Sequence, residues 1–479
     1  MAETGNRRDD CSSLNSSCPS SHPSYEEGIH VHQVEERIDA VDSFSSSDLV
    51  DLLGEEAVPE VKSGWIGAVF LIVNAALGAG LLDFPEAYDR AGGILISMII
   101  QAFLLFFAVI SLLILVFCAN KHSCSTYQEV ILRTCGRRME RLCSMFIALY
   151  CYGTCITFII IIGDLSDRSF ASLYGPSFCD HWYMTRHYVV IAIGVLFILP
   201  LCFPRRIDFL KWPSSLGVIA VFYIVGLVVY EYYMGGFPAP PGVKTAPDHW
   251  EDVLSVIPVI CFGYQCHVSS IPIYACMEDK KVSTFAKSIL SAILICGSVY
   301  SIAGVYGYLT FGTSVVADIL TAYNPSHSIV LIGFVALGLK IITTYPILMY
   351  CGRSAVDDLL PPCSGAGIAQ ARFAKRIILS LAWFWSTLLI AYSLPNIDVA
   401  ISCIGSMAAL FIFVFPATAL LCTVARNDPL YREWKTRAII GYSFFNAALG
   451  TFIFGQVLSK SIWQFYSGAN NNDKPSPCG

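Results

Sequence analysis

"VNAALGAGLLDFPEA", Val73 to Ala87, is the stretch on which the fold turns. It lies in an apolar run that begins at Trp65. Yet it places Gly78 and Gly80 at its middle, Asn74 before them, and Asp83, Pro85 and Glu86 soon after. Glycine in a helix interior costs about 1 kcal/mol, and a carboxylate in hydrocarbon costs several times that. A plain membrane anchor has no use for either. A helix broken here does. Its unpaired N–H and C=O groups are tolerated where they line a cavity or meet a ligand. The N-terminal end of the second half-helix offers free N–H groups and a positive dipole end, and glycine lets a ligand approach the backbone. The stretch predicts a cradle for a small carboxylate made by Leu77, Gly78, Ala79, Gly80 and Leu81, with Asn74 adding a side-chain oxygen. A plainer reading makes "GAG" only a small-residue seam between packed helices.

Composition sets the frame. The 479 residues are 55% hydrophobic and 14% charged, against about 25% charge in a soluble domain. This is the composition of an all-α integral membrane protein, because runs of about 20 apolar residues span hydrocarbon as helices. Eleven helices are predicted, at 65–89, 92–119, 141–164, 187–202, 212–234, 251–277, 287–312, 327–352, 374–394, 398–423 and 438–465. With the N-terminus in the cytosol, the cytosolic loops carry 19 Lys and Arg and the opposite loops 4, as the positive-inside rule requires. Residues 1–62 hold 14 acidic against 4 basic residues and read as a disordered acidic tail. They lack the apolar core of a cleavable signal peptide. Residues 63–466 form the membrane domain and 467–479 a short non-cytosolic tail. The net charge of −6 argues against nucleic acid as a partner. Most of the 19 cysteines, such as Cys151, Cys155, Cys296 and Cys403, sit in apolar runs and read as reduced, buried side chains. Only Cys179 and Cys478 fall on the non-cytosolic side.

A repeat underlies the helices. The first five run from 65 to 234 and the next five from 251 to 423, so the second half enters the membrane in the opposite sense; 438–465 is an extra helix. Two inverted halves whose first helices are broken at the midplane are a transporter plan. The sixth helix carries the matching interruption, "IPVICFGYQCHVSSIPIY", Ile257 to Tyr274, with Pro258, Gly263, Pro272 and a polar middle. Phe262, Gly263, Tyr264, Gln265 and His267 are expected to line the unwound segment, whose carbonyls would help to bind an ammonium group. Cys261, Cys266 and His267 also invite a metal site, but no second ligand cluster pairs with them. As a nucleophile pair they lack an orienting third group.

Five stretches carry a resemblance: "NAALGAGLLDFPEA" followed by "AGG", "TYQEV" (Thr126–Val130), "GTCITFIIIIGD" (Gly153–Asp164), "ICFGYQCHVSSIPIY" (Ile260–Tyr274) and "TTYPILMYCGRS" (Thr343–Ser354). Together they resemble the sodium-coupled neutral amino acid transporter family, in the amino acid/auxin permease branch of the amino acid–polyamine–cation superfamily. The likeness is strongest to its seventh and eighth numbered members and covers 64 to about 458. It implies a five-plus-five inverted repeat with an added helix, and transport of small neutral L-amino acids such as glutamine, asparagine or alanine. It also implies a cation site shared by helices 1 and 8, to which Asn74 and Thr344 correspond. Two residues depart from the family pattern. Asp83 stands where the family usually has asparagine, and Lys340 lies near the centre of helix 8. Lys340 shares a helical face with Thr343 and Thr344. Its ammonium is expected to stand where sodium would sit, near Asn74 and Thr344, with Asp83 the nearest candidate partner in sequence. Coupling is therefore to sodium or to protons, and no other metal or cofactor is expected.

A cation-coupled secondary transporter accounts for both breaks and the intramembrane polar groups. A membrane sensor signalling through its tail would need only one break, and an enzyme would need a catalytic constellation that the sequence lacks. The tail contains "DLVDLL", with Asp48 four residues before Leu52 and Leu53. This acidic dileucine pattern fits sorting adaptors and favours an endosomal or lysosomal membrane over the plasma membrane. The sequon at Asn15 lies on the cytosolic tail, so no N-glycan is expected.

Overall fold

The computed structural model describes residues 63–175, 180–203, 211–238, 240, 242–360, 368–393, 397–427 and 434–467. The acidic tail with Asp48, Leu52 and Leu53, the sequon, Cys179 and Cys478 lie outside them. The chain divides into Met1–Glu60 and Val61–Gly479, and the described residues all belong to the second unit.

The opening stretch folds as its composition demands. Helix α1, Trp65–Ala76, stops where Leu77 and Gly78 turn extended. A 3₁₀ segment Ala79–Asp83 follows. Helix α2, Phe84–Arg90, then starts with Pro85 in its first turn, where a missing N–H costs nothing. The two halves meet at 61°. Gly92 and Gly93, with φ of 90° and 113°, turn the chain into α3, Ile94–His122. Helix α4, Tyr127–Cys135, leads into α5, Arg137–Tyr174. Helices α6, Arg186–Ile193, and α7, Leu199–Cys202, join through a π turn at Gly194–Ile198, and α8 is Lys211–Met234. A second interruption separates α9, Trp250–Gly263, from α10, His267–Ala275, although residues 252–275 count as a single span and only the first pair is sharply bent. Then come α11, Val282–Phe311, α12, Ser328–Leu359, and α13, Ile368–Ser393. Helices α14, Ile397–Ala409, and α15, Phe415–Asn427, flank a π turn at Leu410–Val414. The last helix is α16, Trp434–Ser467.

Nine helices among the described residues are long and apolar enough to cross a membrane, ten when the bent pair α1 and α2 is one span. Arg186–Cys202 is a shorter apolar helix. Polar residues such as Gln101, Glu231, His267 and Lys340 are buried, whereas Leu95, Phe106, Val335 and Leu389 face outward. That inversion of a soluble protein's surface suits a hydrocarbon solvent.

Several elements differ from expectation: α12 runs past the predicted 352 to Leu359, α11 starts at Val282 and α13 at Ile368, and two further differences have a visible cause. The third predicted helix, 141–164, runs on to Tyr174. Asp164 and Asp167 look like a helix end, but Arg186 Nη1 pairs with them at 2.5 and 3.0 Å, and the helix continues past neutralised charges. The region expected to be a cytosolic loop contains α4. Thr126 Oγ1 accepts from Glu129 N at 3.2 Å while Ser125 N donates to Glu129 Oε2 at 2.9 Å. This reciprocal arrangement is a close variant of the capping box.

Helix α11 packs on α1 and α2, α9 on α14, and α12 on α5 and α8. The approach of α9 to α14 is close because Gly405 has no side chain; a Cβ there would lie 2.2 Å from the carbonyl oxygen of Pro258.

Candidate functional site

The two breaks close on each other. A Cβ on Gly80 would lie 3.2 Å from both Gly263 Cα and Phe262 Cδ1, so this glycine is a contact between the broken helices, as the seam reading requires. Gly78 is different: a Cβ there meets nothing within 4 Å among the described residues. Its φ of −139° is ordinary extended backbone. The open side of the first break is therefore at Gly78.

One side chain ties the breaks together. Tyr300, from the middle of α11, accepts a hydrogen bond from Gly78 N at 3.3 Å. Its hydroxyl also lies 2.9 Å from the carbonyl oxygens of Ala76 and Gly263, which share its single proton. Those are groups that the interrupted helices leave without intrahelical partners. The ring stacks on Phe84 at 4.4 Å between centroids and meets Tyr264 edge-on at 4.9 Å. Around them lies a second set of bonds. Gln101 Nε2 donates to Tyr264 Oη at 2.7 Å and to Ser301 Oγ at 3.0 Å, and Tyr88 Oη donates to Gln101 Oε1 at 2.8 Å. His267 Nε2 is 2.6 Å from Ser111 Oγ. Tyr300, Gln101, Tyr88 and Ser301 were not singled out in the sequence, where tyrosines and single polar residues in apolar helices give no local signal. Gln265, which was, occupies the gap between α9 and α10.

The expected cation group is arranged as follows. Asn74 is half-buried in α1 and Asp83 is buried at the end of the 3₁₀ segment. On α12, the hydroxyls of Thr343 and Thr344 donate to the carbonyl oxygen of Lys340 at 2.9 and 2.7 Å, so the three share one face. Each hydroxyl keeps lone pairs for a cation. The Lys340 stem runs beside Gly217 of α8, whose Cβ would be 3.1 Å from Lys340 Cγ. Among the described residues Lys340 forms no ion pair. It sits in the seam between α12 and α8, and α8 in turn packs on α1. No direct bond joins Lys340 to Asn74 or Asp83 among the described residues.

On the face opposite the basic loops, the segment after α8 is seated against the end of α2. Lys244 Nζ reaches Asp89 Oδ2 at 3.3 Å and Asp248 Oδ2 at 2.7 Å, and Lys244 N donates to Tyr308 Oη at 2.8 Å. The hydrogen bond to Asp248 holds the Lys244 ammonium above its ordinary pKa of 10.5, and the same bond holds Asp248 below 3.8.

Comparison with known proteins agrees with this architecture. Residues 61–458 match the model of the family described as transmembrane amino acid transporter protein. Sodium-coupled neutral amino acid transporter 7 of Danio rerio is 38% identical over 408 residues, which is 83% of this chain and 87% of that protein. The Homo sapiens protein of the same name is 37% identical over 409 residues, 83% and 87% of the two chains. Solute carrier family 38 member 8 of Homo sapiens is 33% identical over 411 residues, 84% and 94%. In fold, the crystal structure of MhsT in complex with L-phenylalanine superposes with a TM-score of 0.52 at 14% identity, covering 84% of this chain and 100% of that one. The match along 61–458, with the breaks at Leu77–Gly78 and Tyr264–Cys266, places this chain in the transmembrane amino acid transporter family, among the sodium-coupled neutral amino acid transporters.

Proposed function

We propose that the chain is a secondary active transporter of small neutral L-amino acids, of the glutamine, asparagine and alanine class, coupled to sodium or protons and working by alternating access. Its spans number eleven, as a five-plus-five inverted repeat with α16 added. The observation that carries this reading is the joint closure of the two breaks at the Tyr300 hydroxyl. A substrate whose carboxylate meets the N–H groups beside Gly78 touches both broken helices, so its binding is coupled to their relative movement. Asn74 and Thr344 are the candidate oxygens for the coupling ion, with Lys340, Thr343 and Asp83 as modifiers. The relatives named above, sodium-coupled by name, support this assignment. The test is flux of labelled alanine into proteoliposomes under separately imposed sodium and proton gradients. Saturable binding without flux overturns the reading.

We place the protein in an endosomal or lysosomal membrane with its N-terminus in the cytosol, addressed through Asp48, Leu52 and Leu53. An unchanged organelle distribution after replacing Leu52 and Leu53 with Ala overturns that address.

A further inference from the structure

Most buried polar side chains at the two breaks are paired; among the described residues there, His267 is bonded through Nε2 but not Nδ1, and Gln265 is the buried one with both polar side-chain atoms left unbonded. Tyr300, Tyr264, Gln101, Tyr88 and Ser111 all have partners. Gln265 does not. It is 7% exposed, it lies between the end of α9 and the start of α10, and both its Oε1 and its Nε2 are buried without a hydrogen bond. Leaving a buried amide unpaired is costly, and a native chain keeps such a group for a reason. The hydroxyl of the neighbouring Tyr264 is already bound to Gln101, and the Gln265 backbone N–H is taken by Phe262 O at 3.3 Å. What remains is a planar pair, one acceptor and one donor, fixed at the break.

We propose that Gln265 recognises the side chain of the transported amino acid, and that the group it takes is a primary carboxamide. This rests on the reading of the breaks as the site of the substrate's carboxylate and ammonium, which leaves the Gln265 side chain for the rest of the molecule. A carboxamide presents a donor and an acceptor in one plane, so it satisfies both ends of Gln265 at once. A carboxylate would satisfy Nε2 and face Oε1 with like charge; an ammonium does the reverse. Either would also bring a net charge to a desolvated segment. An apolar side chain leaves both ends bare. Sites that hydrogen-bond a substrate group reject analogues lacking it strongly, because their own polar atoms are then left unpaired.

The experiment uses the full chain in proteoliposomes and reads a ratio. Labelled alanine flux is competed by asparagine against leucine, and by glutamine against homoleucine; each pair is matched in shape and differs in the amide. In the parent the amide competitor should win by about tenfold or more. In Gln265→Met, which keeps the length and loses the amide, that ratio should fall to near one or invert. In Gln265→Glu, which loses the donor, it should fall as well. A general loss of flux does not move this ratio. If a variant is too slow to measure, ligand-induced thermal stabilisation by the same pairs reads it instead. A parent with no amide preference, or a Gln265→Met variant that keeps the parent's ratio, overturns the proposal. A parent that neither moves nor binds neutral amino acids overturns the transporter reading and this one with it, and is recognised without any variant.

Discussion

Removing the Tyr300 hydroxyl isolates what it does. Phenylalanine at this position keeps the ring that stacks on Phe84 and leaves Gly78 N, Ala76 O and Gly263 O without their shared partner. With roughly 1–3 kcal/mol for each buried group left unpaired, and with the three sharing one hydroxyl, Tyr300→Phe should lower stability by about 2–4 kcal/mol. Thermal unfolding of the purified protein measures this, and an unchanged midpoint counts against the tie. The two glycines separate in the same way. Valine at Gly80 collides with Gly263 and Phe262, so Gly80→Val should destabilise by about 1–3 kcal/mol through overpacking. Valine at Gly78 has room and an ordinary backbone, so Gly78→Val should fold normally and lose transport. The sequence alone suggested one role for both. Glycine, proline and stray polar residues mark a break locally, which made both interruptions legible. Which glycine faces a neighbour and which faces open space is a tertiary fact. The same holds for Tyr300 and Gln101, whose partners are up to 224 residues away.

Helix α12 poses the next question, because it carries a buried lysine along its seam with α8. The Lys340 stem lies beside Gly217, so methionine would preserve the packing while removing the ammonium. An unpaired buried charge is costly to desolvate, and an apolar residue of similar shape removes that cost. Lys340→Met should therefore unfold at the same temperature as the parent or higher. If the ammonium serves as a coupling cation, the variant's flux should also change its dependence on sodium and pH. Strict sodium dependence in the parent with an unchanged pH profile in the variant excludes that role. Element boundaries were legible where hydropathy changes abruptly, as at Ile94 and Met234. They were not at the end of α5, where Asp164 and Asp167 read as a loop until Arg186 pairs with them. Gly163 allows that pairing, since a Cβ there would lie 2.6 Å from Arg186 Cζ. Helix α4 was missed because its nine residues are partly polar and its cap depends on Ser125, Thr126 and Glu129 together.

Taken whole, the bundle is tied at both ends. On the side of the basic loops, Ser63 N donates to Cys276 O at 3.0 Å and Glu278 N to Ser63 O at 3.2 Å, joining the start of α1 to the end of α10. On the other side, the segment around Lys244 lies over Gly92 and Gly93. Under the alternating access proposed above these ties would open one at a time, and in the proposed endosomal or lysosomal membrane their pH dependence would matter. Asp248 is held below 3.8 by the hydrogen bond from Lys244. Its contribution is present above that ordinary value and is lost as pH falls through the lower folded value. Lys244 is held above 10.5 by the same bond. Its contribution is present below 10.5 and is lost as pH rises through the higher folded value. Between about pH 5 and 8 both stay charged, so this tie does not respond to compartment acidity. Hydrogen exchange over residues 242–249 should be protected equally at both ends of that window. Lys244→Met should weaken protection by about a few-fold at each, since half-exposed ion pairs contribute little. The backbone seat is stronger. Gly93 has φ of +113°, and a Cβ there would lie 2.1 Å from Lys244 O. Gly93→Ala must both strain the turn and push the segment away. It should therefore unseat 242–249 more than Lys244→Met does, at either pH. If instead the lysine variant loses protection and the alanine variant keeps it, charge rather than backbone contact holds that side shut, and the face must then open at the extremes of pH.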